Sequence, residues 1–258
     1  MALTKTKNEI DSMREGGHLL SRALKAACDA VRPGVTLSDI DAVAEQVIRE
    51  GGGEPSFKGY KSHADDEPFP TTLCISVNEE VVHGCGDRPI VLKEGDIVGL
   101  DIGLWYNGLC TDMAATVPVG HVSEEAAKLI AVTREACLAG ANVVHVGGLV
   151  SDVAKAVESV VEPHGYGIVR ALVGHGVGHK VHEGPHIPNY SDHRYPRVEI
   201  VEGMCLAIEP MIGLGTWDVE TAEDGWTVVM KDRKLAAHFE VTIVVTKDGI
   251  EVLTPLPV

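Results

Sequence analysis

Basic residues are in short supply in this 258-residue chain: 22 Lys and Arg stand against 38 Asp and Glu, a formal net charge of −16. Such a balance repels phosphate, which argues against broad binding to a nucleic-acid backbone and against an anionic membrane surface. Cysteine is sparse and unpatterned. The six residues Cys28, Cys74, Cys85, Cys110, Cys137 and Cys205 show no CxxC spacing, and a chain of this length needs no disulfide staples. No apolar run reaches membrane-spanning length, and Met1-Ala2-Leu3-Thr4-Lys5 carries no apolar signal core. No Pro/Ser-rich linker or low-complexity block divides the chain, so one domain over residues 1–258, in the cytoplasm, is the expectation. Aromatic residues make up only 4%, so any ring proposed as a pocket wall competes with a core role. Peptides and cations remain as the natural partners.

What the chain does have is a set of five metal-suited residues, Asp101, Asp112, His175, Glu209 and Glu240, each in strand-like or glycine-rich surroundings. Four carboxylates gathered without a cation would repel one another, and some would have to protonate before burial. Two hard divalent cations resolve that conflict. The first pair follows from geometry. Asn107-Gly108 is a signal for a two-residue type I′ hairpin turn. With that turn Tyr106 faces Leu109, Gly103 faces Asp112 and Asp101 faces Ala114, which puts both aspartates on one sheet face as diagonal neighbours. A bulged three-residue loop would flip the parity and separate them.

In Gly174-His175-Gly176-Val177-Gly178-His179-Lys180-Val181-His182 three glycines fall within five residues. They allow left-handed backbone and close approach to a ligand, which presents the histidines on a loop. Glycine-rich loops also cradle phosphate at helix N-termini, but Pro185 and Pro188 interrupt the chain that follows. Met204-Cys205-Leu206-Ala207-Ile208-Glu209-Pro210 is an apolar run closed by a carboxylate and a proline, placing Glu209 at a strand end. Glu240 stands among the β-branched residues of Phe239-Glu240-Val241-Thr242-Ile243-Val244-Val245. There it is either at an exposed edge or paired.

Apolar positions also imply an internal duplication. Ile10, Met13, Leu20, Leu24 and Val31 recur at helical spacing; a second helix runs from a Thr36 cap, with Asp39 three residues on, to a stop at Gly51-Gly52. Residues 123–165 repeat the plan with a Ser123 cap, then Gly147-Gly148, Ser151-Asp152-Val153 and a stop near Gly165. Two helix–helix–sheet halves are implied, with both aspartates from the first and His175, Glu209 and Glu240 from the second. A site built from all five lies on the seam, as ligand sites commonly do.

In order along the chain, Asn78-Glu79-Glu80-Val81-Val82-His83-Gly84, the Asp101-to-Asp112 hairpin, Gly174 to Pro185, Ile208-Glu209-Pro210 and Phe239-Glu240-Val241-Thr242 resemble the methionine aminopeptidases of the M24 peptidases. The resemblance covers nearly the whole chain. The short interval from His175 to Glu209 makes it similar to type I, in its compact bacterial form. The implied fold is the α/β pita-bread fold, two pseudo-symmetric helix–helix–sheet halves around a central curved antiparallel sheet. The implied activity is removal of the initiator methionine from nascent chains with a small second residue. By resemblance, Asp101 binds one of two divalent metal ions, His175 and Glu209 bind the other, and Asp112 and Glu240 bridge them. Cobalt, manganese, iron and zinc all suit such mixed oxygen and imidazole donors.

The resemblance further implies Glu209 as proton carrier, His182 as a donor to the developing oxyanion and His83 as a contact near the scissile amide. It implies Tyr60, Phe69, Cys74 and Trp226 as walls of a methionine pocket, where rings and a thiol suit a thioether. Nascent polypeptide N-termini near the ribosome are the implied partners, with no direct nucleic-acid contact, no membrane contact and a monomeric chain. Two departures stand out: Phe57 stands where a cysteine is common, and Lys61 through Glu67 lengthens the loop before Phe69. That acidic loop reads as a rim attracting a protonated peptide N-terminus, or as a solvated excursion. Proline-directed aminopeptidases of the same fold usually carry an extra N-terminal domain. A catalytically silent binding protein on this scaffold would be expected to lack ligands, and all five are present here.

Overall fold

Each helix begins where a side chain can satisfy the free N–H groups of its first turn. The computed structural model describes residues 4–61 and 67–257. In α1 (Lys7–Ala30) the Thr6 hydroxyl and the Glu9 carboxylate cap reciprocally, and Thr36 with Asp39 repeats this capping box on α2 (Leu37–Glu50). The Ser123 hydroxyl accepts from Ala126 N–H at the start of α3 (Glu124–Asn142). α4 (Ser151–Val161) has no side-chain cap on its own N-cap residue, Val150; instead the Asp152 carboxylate accepts from Leu149 N–H at 3.0 Å. Met13, Leu20, Leu24 and Ala27 are buried along one face of α1, the helical spacing expected.

α1 and α2 pack against each other and so do α3 and α4, with α1 laid across a long antiparallel hairpin, Ile97–Tyr106 and Leu109–Pro118. Asn107 and Gly108 both take positive φ, 51° and 78°, as a type I′ turn requires. The register is the one read from the sequence: Tyr106 opposite Leu109, Gly103 opposite Asp112, Asp101 opposite Ala114. Leu73–Val77 pairs along the other edge of Ile97–Tyr106, setting Cys74 opposite Asp101. In the second half a five-stranded antiparallel sheet runs in the order Gly249–Val252, Val241–Thr246, Cys205–Ile208, Gly174–Gly176, Glu183–Ile187.

The two sheets meet at one residue pair. Ala114 and Glu240 exchange both backbone hydrogen bonds, at 3.2 and 2.9 Å. On one side of that pair the Thr242 hydroxyl donates to the Asp112 carbonyl and accepts from Asp112 N–H. On the other the Thr116 hydroxyl does the same for His238. Threonine side chains thus continue the ladder across the seam, so the backbone of Asp112 and of His238 is satisfied although no regular strand pairing exists there.

Candidate metal centre

Along the seam the side chains of Asp112, Glu240, Glu209 and His175 are buried, and a cavity of about 640 Å³ opens over them. All five ligands read from the sequence line it. Ligand atoms of Asp112, His175 and Glu240 lie within 4.8 Å of one another, and so do those of Glu209, His238 and Glu240. Glu240 belongs to both groups. Asp101 belongs to neither, and its influence is repulsive: it raises the pKa of Asp112, Glu209 and Glu240.

Geometry at His175 fixes its tautomer. Its Nδ1 lies 2.9 Å from the Gly176 carbonyl, which can only accept, so Nδ1 carries the proton and Nε2 presents a lone pair 3.2 Å from Glu209 Oε1. A lone pair facing a carboxylate oxygen is repulsive unless something positive stands between them. Asp101 Oδ1, Asp112 Oδ1 and Glu240 Oε1 are likewise buried with no hydrogen-bond partner. Buried carboxyl oxygens left without partners and close enough to repel one another suit a cation. Burial pushes the Asp101 carboxyl up to about 7, and burial plus neighbouring carboxylates push Asp112, Glu209 and Glu240 well above the usual range. Burial holds His175 down to about 3 and His83 to about 4, so both imidazoles are neutral.

The glycines serve packing more than backbone freedom. His175 lies in a strand, Gly174–Gly176, not on a loop, and of the three glycines only Gly178 takes positive φ. A Cβ at Gly176 would sit 2.2 Å from the Gly184 carbonyl oxygen, and one at Gly174 would sit 2.5 Å from the Ala207 carbonyl oxygen. Close strand approach is therefore what requires them. Gly103 has the same role under Asp112, where a Cβ would meet Ser56 Oγ at 2.2 Å.

His182 and Tyr60 stand at the rim. Tyr60 Oη is 3.3 Å from His182 Nδ1, and the His182 ring meets that of His175 edge-on at 4.5 Å. His83 also lines the cavity, held at φ 60°, a strained conformation of the kind that concentrates at functional sites. Phe69 and Trp226 pack edge to face at 5.3 Å and, with Cys74 and Phe57, line the apolar part. These rings are at once core and wall, since Phe69 is buried and Trp226 packs against the same cluster. Of the acidic loop, residues 62–66 lie outside the described residues.

The sequence matches Metallopeptidase family M24 over residues 11–247. The chain belongs to that family. A methionine aminopeptidase of Clostridium perfringens is 44% identical over 255 residues, covering 98% of this chain and 99% of its own. Methionine aminopeptidase 1 of Bacillus subtilis is 41% identical over 256 residues, with the same coverage. The crystal structure of a methionine aminopeptidase from Thermotoga maritima superposes with a TM-score of 0.92 at 40% identity, covering 97% of this chain and 98% of that one. The expected pita-bread architecture is therefore present. A prolidase from Pyrococcus furiosus shares the fold at 23% identity, with a TM-score of 0.78, and this chain spans only 65% of it. M24 membership brings divalent-metal use, and the seam clusters carboxylates and histidine of the kind that suits such ions.

His238 is the residue that sequence reasoning missed. It lies 3% exposed, with Nε2 3.7 Å from Glu209 Oε2 and without a hydrogen-bond partner. The signal was available: in a strand, positions 238 and 240 share a face.

Proposed function

We propose that this chain removes N-terminal methionine from peptides and proteins whose second residue is small, with two divalent cations held by Asp101, Asp112, His175, Glu209 and Glu240. The observation that carries this reading is the buried, donor-poor set of carboxylate oxygens under an apolar-walled cavity. The names of the relatives at 41–44% identity support the substrate. Cations bound there lower the pKa of water, polarise a carbonyl and anchor a free α-amine.

The chain's own groups supply the rest. Asp112 and Glu240 lie on either side of the seam, Glu240 within reach of both ligand groups and Asp112 of His175 and Glu240. Glu209 takes a proton from water and passes it to the leaving amine, a task suited to a carboxyl whose pKa burial has raised. With Tyr60 O–H donating to Nδ1, His182 carries its proton on Nε2 and can donate to the oxyanion. His83, neutral and held rigidly at positive φ, contacts the substrate near the scissile amide. Phe69, Trp226, Tyr60 and Cys74 receive the thioether.

No helix is long and apolar enough among the described residues to cross a membrane. Nascent-chain N-termini in the cytoplasm, near the ribosome, are the substrates this reading assigns, and the chain acts as a monomeric single domain. Metal content and methionine release from Met-Ala-Ser, measured on the same preparation, test the reading. Metal-dependent release that fails when the second residue is Lys supports it. Equal turnover of Met-Ala and Met-Lys peptides would refute the small-residue limit, and no release from a metal-replete protein would refute the activity.

A further inference from the structure

We propose that His238 is a further metal-binding residue of this site, adding a second imidazole to the donors on the Glu209 and Glu240 side. The inference rests on the reading that the seam binds divalent cations. Three independent observations lead to it.

The first is separation. His238 Nε2 stands 3.7 Å from Glu209 Oε2, beyond hydrogen-bond length. Two donors at metal-ligand bond lengths of ~2.0–2.2 Å, set at tetrahedral or wider angles about one ion, lie roughly 3.4–3.7 Å apart. Glu209 thus has an imidazole nitrogen facing each of its oxygens, His175 at Oε1 and His238 at Oε2.

The second is that Nε2 is orphaned. It is a buried polar atom with no partner, and the carboxyl groups near it, those of Glu209 and Glu240, complete a set within 4.8 Å. A buried nitrogen left unpaired costs stability unless a ligand satisfies it.

The third is position. About the Ala114–Glu240 pair the two halves are related so that Thr116 corresponds to Thr242 and Asp112 to His238, because each threonine hydroxyl brackets the backbone of the other half's residue. Strand register gives the same correspondence: Gly103 pairs with Asp112, and Met211 pairs with His238. His238 therefore occupies in the second half the place that Asp112, an assigned ligand, occupies in the first. Its backbone is held at both N–H and C=O by Thr116, so the ring is placed by the same device that places Asp112.

A second imidazole softens an otherwise oxygen-rich site and favours cobalt, iron or zinc over manganese. Proton NMR of the fully cobalt-loaded protein reads the ligands directly, since each ligated imidazole gives a strongly shifted, solvent-exchangeable N–H resonance. Two such resonances are expected in the natural protein, one of them lost in His238→Gln, with cobalt affinity lowered roughly 10-fold or more. The natural protein alone decides the matter should the variant not fold: a single exchangeable imidazole resonance overturns the assignment. An unchanged spectrum in a folded His238→Gln protein overturns it as well. Methionine release from a protein showing one imidazole signal would sink His238 as a ligand while keeping the proposed function. Two imidazole signals without methionine release would do the reverse.

Discussion

Gly34 and Gly147 hold corresponding places in the two halves, with φ of 88° and 82°. Gly34 N–H donates to Leu92 at 2.8 Å and Gly147 N–H to Ile200 at 2.9 Å; Leu92 and Ile200 donate back to Val35 and Gly148. Counting on from those two residues, 92 to 101 and 200 to 209, reaches Asp101 and Glu209, two carboxylates at the same offset. The frame that leads a chain into the site is thus built twice. What differs is what each copy delivers. The first half gives an unbroken hairpin of ten-residue strands bearing only carboxylates, whereas the second breaks its strands at Glu209-Pro210 and Phe239-Glu240 and adds His175 and His238. A shared scaffold fixes where ligands stand, and local irregularity in one copy decides which donors they are.

Removing a shared ligand breaks the comparison most severely. Asp112→Ala or Glu240→Ala takes away a carboxylate on the strands that join the halves, and each variant is expected to lose two-metal binding. Activity should fall beyond the roughly 10–100-fold typical of groups behind a ligand. Metal analysis alongside turnover checks this, and two tightly held ions in either variant would show that the bridge is misassigned.

The seam threonines sharpen it. Thr242→Val strips the partner from Asp112 N–H and leaves its C=O only the Thr254 hydroxyl at 3.4 Å, and Thr116→Val strips the partner from both His238 N–H and C=O. Each should cost about 1–3 kcal/mol of stability, the penalty for buried unsatisfied backbone groups. Both should also weaken metal binding, which urea melts and metal titrations of the pair would resolve.

Titration separates the halves from the metal. In metal-free protein the carboxyls of Asp101, Asp112, Glu209 and Glu240 have folded pKa values raised above their unfolded ones. Their contribution is present below about pH 4 and lost as pH rises through the folded values. His83, His175 and His238, depressed by burial to about 4, 3 and 3, act oppositely: their contribution is present above about 6.5 and lost as pH falls. From pH 6.5 upward the histidines no longer change, and the carboxyls lower stability in the metal-free protein alone. Toward pH 9 the buried thiols, also raised, lower it in both forms, so metal-free Tm should fall more steeply than metal-loaded Tm. Parallel curves would contradict the assignment.

The smallest effect is at the helix starts. Thr36→Ala removes the hydroxyl of a capping box and should cost about 1 kcal/mol. Leu149→Ala, at the corresponding place before α4, has no hydroxyl to lose, so any cost there is packing alone. Thermal melts of the two variants, with metal affinity unchanged, are the expected result.

Local features and a site on the seam between two halves were legible in the sequence; the pairing that builds the seam was not. Asn107-Gly108 dictates the hairpin register, and with it the shared face of Asp101 and Asp112, because a two-residue turn leaves no freedom in pairing. Capping residues likewise announced α2 and α3, and apolar spacing announced α1. The Ala114–Glu240 pair joins residues far apart in the chain, and no local signal marks it; Glu240 could be read as edge or paired, and the structure makes it paired and buried. His175 was misplaced on a loop because glycine reads as conformational freedom, whereas here it admits neighbouring backbone carbonyls. His238 escaped notice because Phe239-Glu240 drew attention to one ligand in an alternation that carries two.

The central claim is that buried, partly protonated carboxylates from both halves form one site that cations complete. Calorimetric titration of metal-free protein with cobalt at pH 7, repeated in buffers of different ionisation enthalpy, counts both ions bound and protons released. Two ions per chain with net proton release is the predicted result. Tight binding without proton release, or a single ion per chain, would contradict it.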